Sequence, residues 1–247
     1  KIASCRKIWL NKMVEHFLLV SKNNLWSLKL FDELTEKLGE SKKLFLIHDK
    51  DQLLDFAYRY KTRCDIKAIF FFHWSEYIPA KVYKNNKCIS IHTSNLPDGQ
   101  GGTPLQNQIL DGITQTRVNA LETTSKIDAG PIYCSEPITL QGSLTDIWMT
   151  TAEAAKKCIL KIIDYDLEPI NEQNITKNGI IYKRIKGSTN PFETSETLRQ
   201  VYDKIRMLDA AGYPEASCKV GDFVLKFNRA KLQQSSILCD VIIERVE

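Results

Sequence analysis

The chain has 247 residues, of which 43% are hydrophobic and 26% charged, with a formal net charge of +4. That balance excludes a disordered polyelectrolyte and a disulfide-stapled miniprotein, and the length suffices for one large domain or one domain with a small addition. The Lys and Arg residues are interleaved with acids, so the charge falls short of a nucleic-acid signature but suits anionic ligands.

Seven cysteines at wide spacing, with no C-x-x-C pair, argue against a disulfide framework and against a structural zinc site. No apolar run reaches the length of a membrane span and no signal peptide is visible, so a cytoplasmic protein with no membrane association is expected. The first residue is not Met, and Met13 closely precedes the first strand-like run, so residues 1–12 are read as an extension outside the core.

In chain order, Val14 to Ser21 contains an apolar run of strand length. Asn23-Asn24 signal a turn or helix entry, and Leu25 to Leu38 carries apolar residues at helical spacing, stopped by Gly39. Leu44 to Ile47 reads as a second strand, Asp51 to Tyr60 as a second helix, and Ile66 to Phe72 as a third strand. Cys88 to Ile91 is a fourth strand, and Pro104 to Leu110 opens a helix with Pro in its first turn. This alternation predicts an α/β layer fold with a mostly parallel sheet, whose ligands bind beyond the carboxyl ends of the strands. The loops after Ser21, Phe72 and Ile91 are therefore the candidate site.

Past Ser143 the pattern changes. Leu144 to Ile163 is a long helix, Ile180 to Tyr182 a short strand, and Thr194 to Leu208 a helix opened by Thr194 or Ser195 as cap. Alternation around Phe223 to Phe227 and Val241 to Ile243 predicts a small β-rich C-terminal appendage. The expected division is residues 13–187 for the catalytic domain and 188–247 for the helix-plus-strand region.

The chemistry concentrates between Cys88 and Tyr133. His92 directly follows a buried strand; Pro97 and a turn with Gly99, Gly101 and Gly102 come next, then a helix, then Asp128-Ala129-Gly130. Each piece alone has a bland reading: a hydrogen-bonded structural histidine, a flexible turn, an Asp-Gly turn. The glycines match neither a dinucleotide fingerprint nor a P-loop.

Together, the order strand, x-x-H-x-S-x-L-P, Gly-Gly-x-Pro, helix and D-x-G resembles the formyltetrahydrofolate-dependent formyltransferases, which include methionyl-tRNA formyltransferases and nucleotide-sugar N-formyltransferases. The likeness is clearest from Asp65 to Pro137, and Ile205-Arg206-Met207 with Gly212-Tyr213-Pro214 is similar to the start of that family's C-terminal region. The Gly101 to Asn107 stretch (Gly-Gly-x-Pro-Leu-Gln-Asn) is similar to the nucleotide-sugar branch, with the pseudaminic-acid-pathway type as nearest comparison. The resemblance implies a Rossmann-like catalytic domain and transfer of a formyl group from N10-formyltetrahydrofolate to the amine of a nucleotide-linked amino sugar, such as a UDP-linked 4-amino-4,6-dideoxy sugar in surface-glycan synthesis. It implies no metal.

By the same resemblance, His92 is the donor near the formyl oxygen, and Asp128 orients it and helps a proton leave. Trp74, Tyr77, Ile78 and Ile127 line the donor site. For the acceptor, Asn23 and Asn24 follow the first strand, where α/β proteins often bind nucleotides, and Gly101, Gly102 and Gln106 sit at the start of the next helix. His73 has no family role and reads as structural. The family has Asn where this chain has Ser90, two residues before His92. Strand alternation puts Ser90 on the same side as His92, so its shorter hydroxyl could still donate, or Ser94 or Asn95 could take over. Two alternatives stay open: methionyl-tRNA as acceptor, and a folate- and sugar-binding homologue with reduced activity because of Ser90. A homodimer is equally open.

Overall fold

A computed structural model describes residues 14–59, 66–170, 172–174 and 179–246. The expected extension, residues 1–12, lies outside them. The central sheet contains β1 (Glu15–Ser21), β2 (Lys42–Ile47), β3 (Ile66–Phe72), β4 (Cys88–Thr93), β6 (Gln115–Glu122) and β7 (Ile132–Thr139). Their order is β2-β1-β3-β4-β6-β7. The first four are parallel and the last two antiparallel. The fold is thus α/β with a mostly parallel sheet, as expected.

The central strands are buried on both faces, which is why they read as unbroken apolar runs. Successive residues of β1 supply opposite cores. Phe17 and Leu19 join the larger cluster, under α1 (Leu25–Leu38) and α5 (Leu144–Tyr165). Leu18 and Val20 join the smaller one, with Leu53 of α2 (Lys50–Arg59) and Val82 of α3 (Ala80–Tyr83). The chain leaves β1 towards β2 on one side and returns to β3 on the other. That reversal opens a crevice at the carboxyl ends of β1 and β3.

Helix ends follow local chemistry. Asn24 caps α1, its side chain accepting from the Ser27 N–H at 3.0 Å. Ser143 and Asp146 form a capping box at α5. The cap of α6 (Leu198–Arg206) is Thr197, correcting the expected Thr194 or Ser195; Thr197 and Gln200 cap each other reciprocally, which the earlier hydroxyls are not spaced to do. Strands β6 and β7 escaped sequence reading. β7 is an edge strand carrying Ser135, Glu136 and Pro137, and edge position is what lets a strand hold a proline.

The two-residue strand β8 (Ile181–Tyr182), between α5 and α6, pairs in parallel with β5 (Gln100–Gly101), which follows β4. Helix α4 (Pro104–Leu110) follows β5. The C-terminal region adds an antiparallel sheet of β9 (Ala216–Val220), β10 (Phe223–Leu232) and β11 (Ile237–Arg245). Ile205, Met207, Leu208, Ala216 and Phe227 belong to the same core cluster as α1 and α5. Arg206, buried and paired with Asp203 at 2.6 Å, donates to the carbonyls of Leu140 and Gly142.

Candidate functional site

A cleft of about 830 Å³ lies beyond the carboxyl ends of β1, β3 and β4. Of the residues singled out from the sequence, Asn23, Asn24, Trp74, Tyr77, Ile78, Ser90, His92, Gly101, Gly102, Gln106, Ile127 and Asp128 line it.

His92 leaves β4 with its Nδ1 at 3.4 Å from Asp128 Oδ2. Its Nε2 is 2.9 Å from the Gly99 carbonyl, and a carbonyl only accepts, so Nε2 carries a proton. With Nε2 donating to Gly99, Nδ1 is the ring nitrogen that faces the carboxylate. Since Nε2–H is committed to Gly99, His92 presents no free N–H to the cleft, which departs from its expected role as donor to a formyl oxygen.

Asp128 is held in a left-handed conformation, φ 51°. Its Oδ2 accepts from the Gly101 N–H at 3.0 Å, and its main-chain carbonyl accepts from Gln100 and Gln173. Two glycines make this loop packing possible. A Cβ at Gly130 would lie 1.9 Å from the Glu122 carbonyl oxygen, and one at Gly101, 2.4 Å from that of Tyr182. The glycines of the motif thus permit close backbone approach around the carboxylate.

Ser90 Oγ sits 2.8 Å from Thr123 Oγ1, and both hydroxyl residues line the cleft. Ser94, weighed as a substitute donor, is buried with its hydroxyl unpartnered and does not line the cleft; Asn95 is exposed and does not line it either.

An aromatic cluster closes one end. His73 Nδ1 faces the Asn24 amide at 2.8 Å and the Trp26 Nε1–H at 3.3 Å. Both are donors, so Nδ1 accepts and Nε2 carries the proton, which it gives to the Tyr213 hydroxyl at 3.1 Å. Trp148 Nε1–H donates to the same hydroxyl at 3.0 Å. Trp26 and Trp148 stack with centroids 5.7 Å apart. Burial, helped by Lys22, pushes His73 down to about 4, so the ring is neutral at pH 7. Burial likewise pushes Tyr213 up to about 12. His73 is thereby fixed within the aromatic cluster.

Sequence reasoning missed Thr123, Trp148, Arg184 and Tyr213 as cleft residues. The Gly212-Tyr213-Pro214 signal was visible, but not its return to the cleft from 140 residues beyond His73. Among the described residues, no group of three His, Cys, Asp or Glu could hold a metal ion.

Residues 188–244 match the family model "Methionyl-tRNA formyltransferase, C-terminal domain". A methionyl-tRNA formyltransferase from Sulfurihydrogenibium sp. (strain YO3AOP1) is 27% identical over 159 residues, which cover 61% of this chain and 49% of that protein. The chain thus spans about half the length of the relatives it matches. The structure of a methionyl-tRNA formyltransferase from Clostridium thermocellum superposes with a TM-score of 0.85 at 28% identity, covering 94% of this chain and 100% of that one. WlaRD, a sugar 3N-formyl transferase solved in the presence of dTDP and 5-N-formyl-THF, shares the fold at 16% identity and a TM-score of 0.56, covering 87% of this chain and 93% of that one. Over these stretches the chain is similar in sequence and fold to methionyl-tRNA formyltransferases, and in fold to a sugar formyltransferase.

Proposed function

We propose that the chain transfers a formyl group from N10-formyltetrahydrofolate to a primary amine. The observation that carries this reading is the His92–Asp128 pair, at 3.4 Å in a cleft whose other walls suit a flat heterocycle. Trp74, Tyr77 and Ile78 form an aromatic and apolar wall on the loop after β3. Among the described residues, the main-chain N–H groups of Trp74 to Ile78 have no protein acceptor, so the loop offers free donors to a pteridine edge. The formyl donor is a substrate and supplies the electrophilic carbon.

In the reaction the acceptor amine attacks the formyl carbon. The new C–N bond forms, the bond from that carbon to N10 breaks, the amine loses a proton and N10 gains one. Asp128, with one oxygen on the Gly101 N–H and facing His92, takes up the amine proton and shares it with the ring. The imidazole, fixed by the Gly99 carbonyl, keeps that proton within the cleft for return to N10.

For the acceptor we favour the amino group of a nucleotide-linked sugar. Lys226 and Arg229 of the C-terminal sheet are ion-paired to Glu244 and Asp240, which reduces what they offer to a phosphate backbone. Asn23, Asn24 and Gln106 line the same cleft. The second reading, methionyl-tRNA as acceptor, is favoured by the names of the relatives and by the match over residues 188–244.

The test is release of tetrahydrofolate from N10-formyltetrahydrofolate, with UDP- and dTDP-linked amino sugars and with methionyl-tRNA offered separately. Turnover with a sugar nucleotide, falling at least about a hundredfold in His92→Ala, is the expected result. Turnover with methionyl-tRNA alone transfers the assignment to the second reading. No turnover with any acceptor, from a protein that is folded and binds the folate, refutes the transferase reading.

A further inference from the structure

An acyl transfer of this kind develops negative charge on the formyl oxygen, and a donor aimed at that oxygen is a large part of the catalysis. The identity of that donor is the unsolved part of this site. His92 Nε2–H is bonded to the Gly99 carbonyl at 2.9 Å. Asn119, directly opposite His92 in the antiparallel register, is a buried carboxamide beside the site. It does not line the cleft: Nδ2 donates to the Ser94 carbonyl at 2.7 Å, and Oδ1 accepts from Ser135 Oγ at 2.6 Å. Gln100 holds the Asp128 carbonyl. What remains beside His92 is the pair of hydroxyls on Ser90 and Thr123.

The sheet register explains why these two meet. Ser90 on β4 is opposite Leu121 on β6, so Thr123, two residues further on, is its diagonal neighbour on the same face. The Thr123 N–H bonds to the Cys88 carbonyl at 2.9 Å, which continues the ladder past the end of β6 and fixes where Thr123 Oγ1 lies. Two hydroxyls 2.8 Å apart share one hydrogen bond, so one proton of the pair is used internally and the other is free. A β-branched threonine has few χ1 choices, so its hydroxyl is a fixed partner rather than a roaming one.

We propose that Ser90 and Thr123 act as one unit: Thr123 Oγ1–H donates to Ser90 Oγ, and Ser90 Oγ–H donates to the oxyanion that forms on the formyl oxygen. Ser90 is the catalytic residue, since its proton touches the reacting atom. Thr123 is a positioning residue: it takes up the serine lone pair, turns the hydroxyl towards the cleft and polarises it through the chained bond. The couple supplies what a single longer carboxamide would supply alone. This inference rests on the formyl-transfer reading.

The test is a double-mutant cycle in steady-state kinetics with N10-formyltetrahydrofolate and whichever acceptor turns over. Ser90→Ala is expected to lower kcat on the order of a hundredfold with little change in either KM. Thr123→Val keeps the shape and removes the hydroxyl; kcat is expected to fall about five- to tenfold, the rate equivalent of one neutral hydrogen bond. Thr123→Ser should recover most of that loss. The Ser90→Ala/Thr123→Val double variant should be no slower than Ser90→Ala, because the threonine acts only through the serine. Thermal midpoints of all four variants, read alongside, identify any loss caused by misfolding, and Thr123→Ser is the variant to rely on if the valine protein is unstable. Losses that multiply in the double variant, or a Thr123→Val enzyme as fast as wild type, overturn the inference and leave the transferase reading standing. A wild-type protein without turnover overturns both.

Discussion

His73 shows how one buried side chain couples sequence, packing and pH. It sits at φ 48°, a backbone region that non-glycine residues seldom adopt, and its ring is pinned by Asn24, Trp26 and Tyr213. Burial lowers it from 6.5 to about 4 in the folded protein. The folded state therefore binds fewer protons than the unfolded chain between those two values. The stability associated with the neutral ring is complete above pH 6.5 and is lost as pH falls towards 4. Urea midpoints measured from pH 7.5 to 4 should fall through that window, and the His73→Asn protein, which tolerates the left-handed backbone, should show a shallower slope. An equal slope in both proteins would remove His73 as the source.

At the scale of elements, α5 does two things at once. It buries ten residues against the sheet and α1, and it carries Trp148 to the edge of the cleft. Its start depends on the Ser143–Asp146 capping box, with the Ser143 N–H on Asp146 Oδ2 at 2.9 Å and the Asp146 N–H on Ser143 Oγ at 3.2 Å. Ser143→Ala should cost about 1 kcal/mol in denaturant unfolding. Because Trp148 lies beyond the first turn and is packed between Trp26 and Phe72, the Michaelis constants should change little. A variant as stable as wild type would mean that water satisfies the freed N–H groups just as well.

At the scale of the molecule, the C-terminal region contributes to the same core as the sheet domain. Ile205, Met207, Leu208 and Phe227 pack in the cluster that holds Leu30 and Ile159, Thr145 Oγ1 donates to the Asp209 carbonyl, and Tyr213 closes the aromatic end of the cleft. Ending the chain at residue 187 would strip the cover from that cluster and leave Leu140 and Gly142 without their Arg206 donor. The expected outcome is a protein that loses cooperative thermal unfolding and exposes apolar surface to a dye. A truncated chain melting cooperatively at the wild-type temperature would show that the first 187 residues suffice.

The sequence by itself determined the layer class and the order of the first strands and helices. Each buried strand such as Phe17 to Val20 or Ala68 to Phe72 had to be an unbroken apolar run, and α1 carried an apolar stripe at helical spacing and a cap. The strand-end rule also pointed to the loops after Ser21, Phe72 and Ile91, but not to Thr123, Trp148, Arg184 or Tyr213. Strands β6 and β7 were not legible: their polar positions, such as Arg117, Asn119 and Ser135, are satisfied by partners across the ladder that a local window does not contain. For the same reason only the tertiary structure decided the hydrogen-bond assignments. That His92 Nε2–H is committed to Gly99, that Ser90 meets Thr123, and that Tyr213 returns to His73 are contacts between residues brought together by sheet register and chain reversal. A hydrogen bond depends on direction and on tenths of an ångström, and neither is encoded in spacing along the chain.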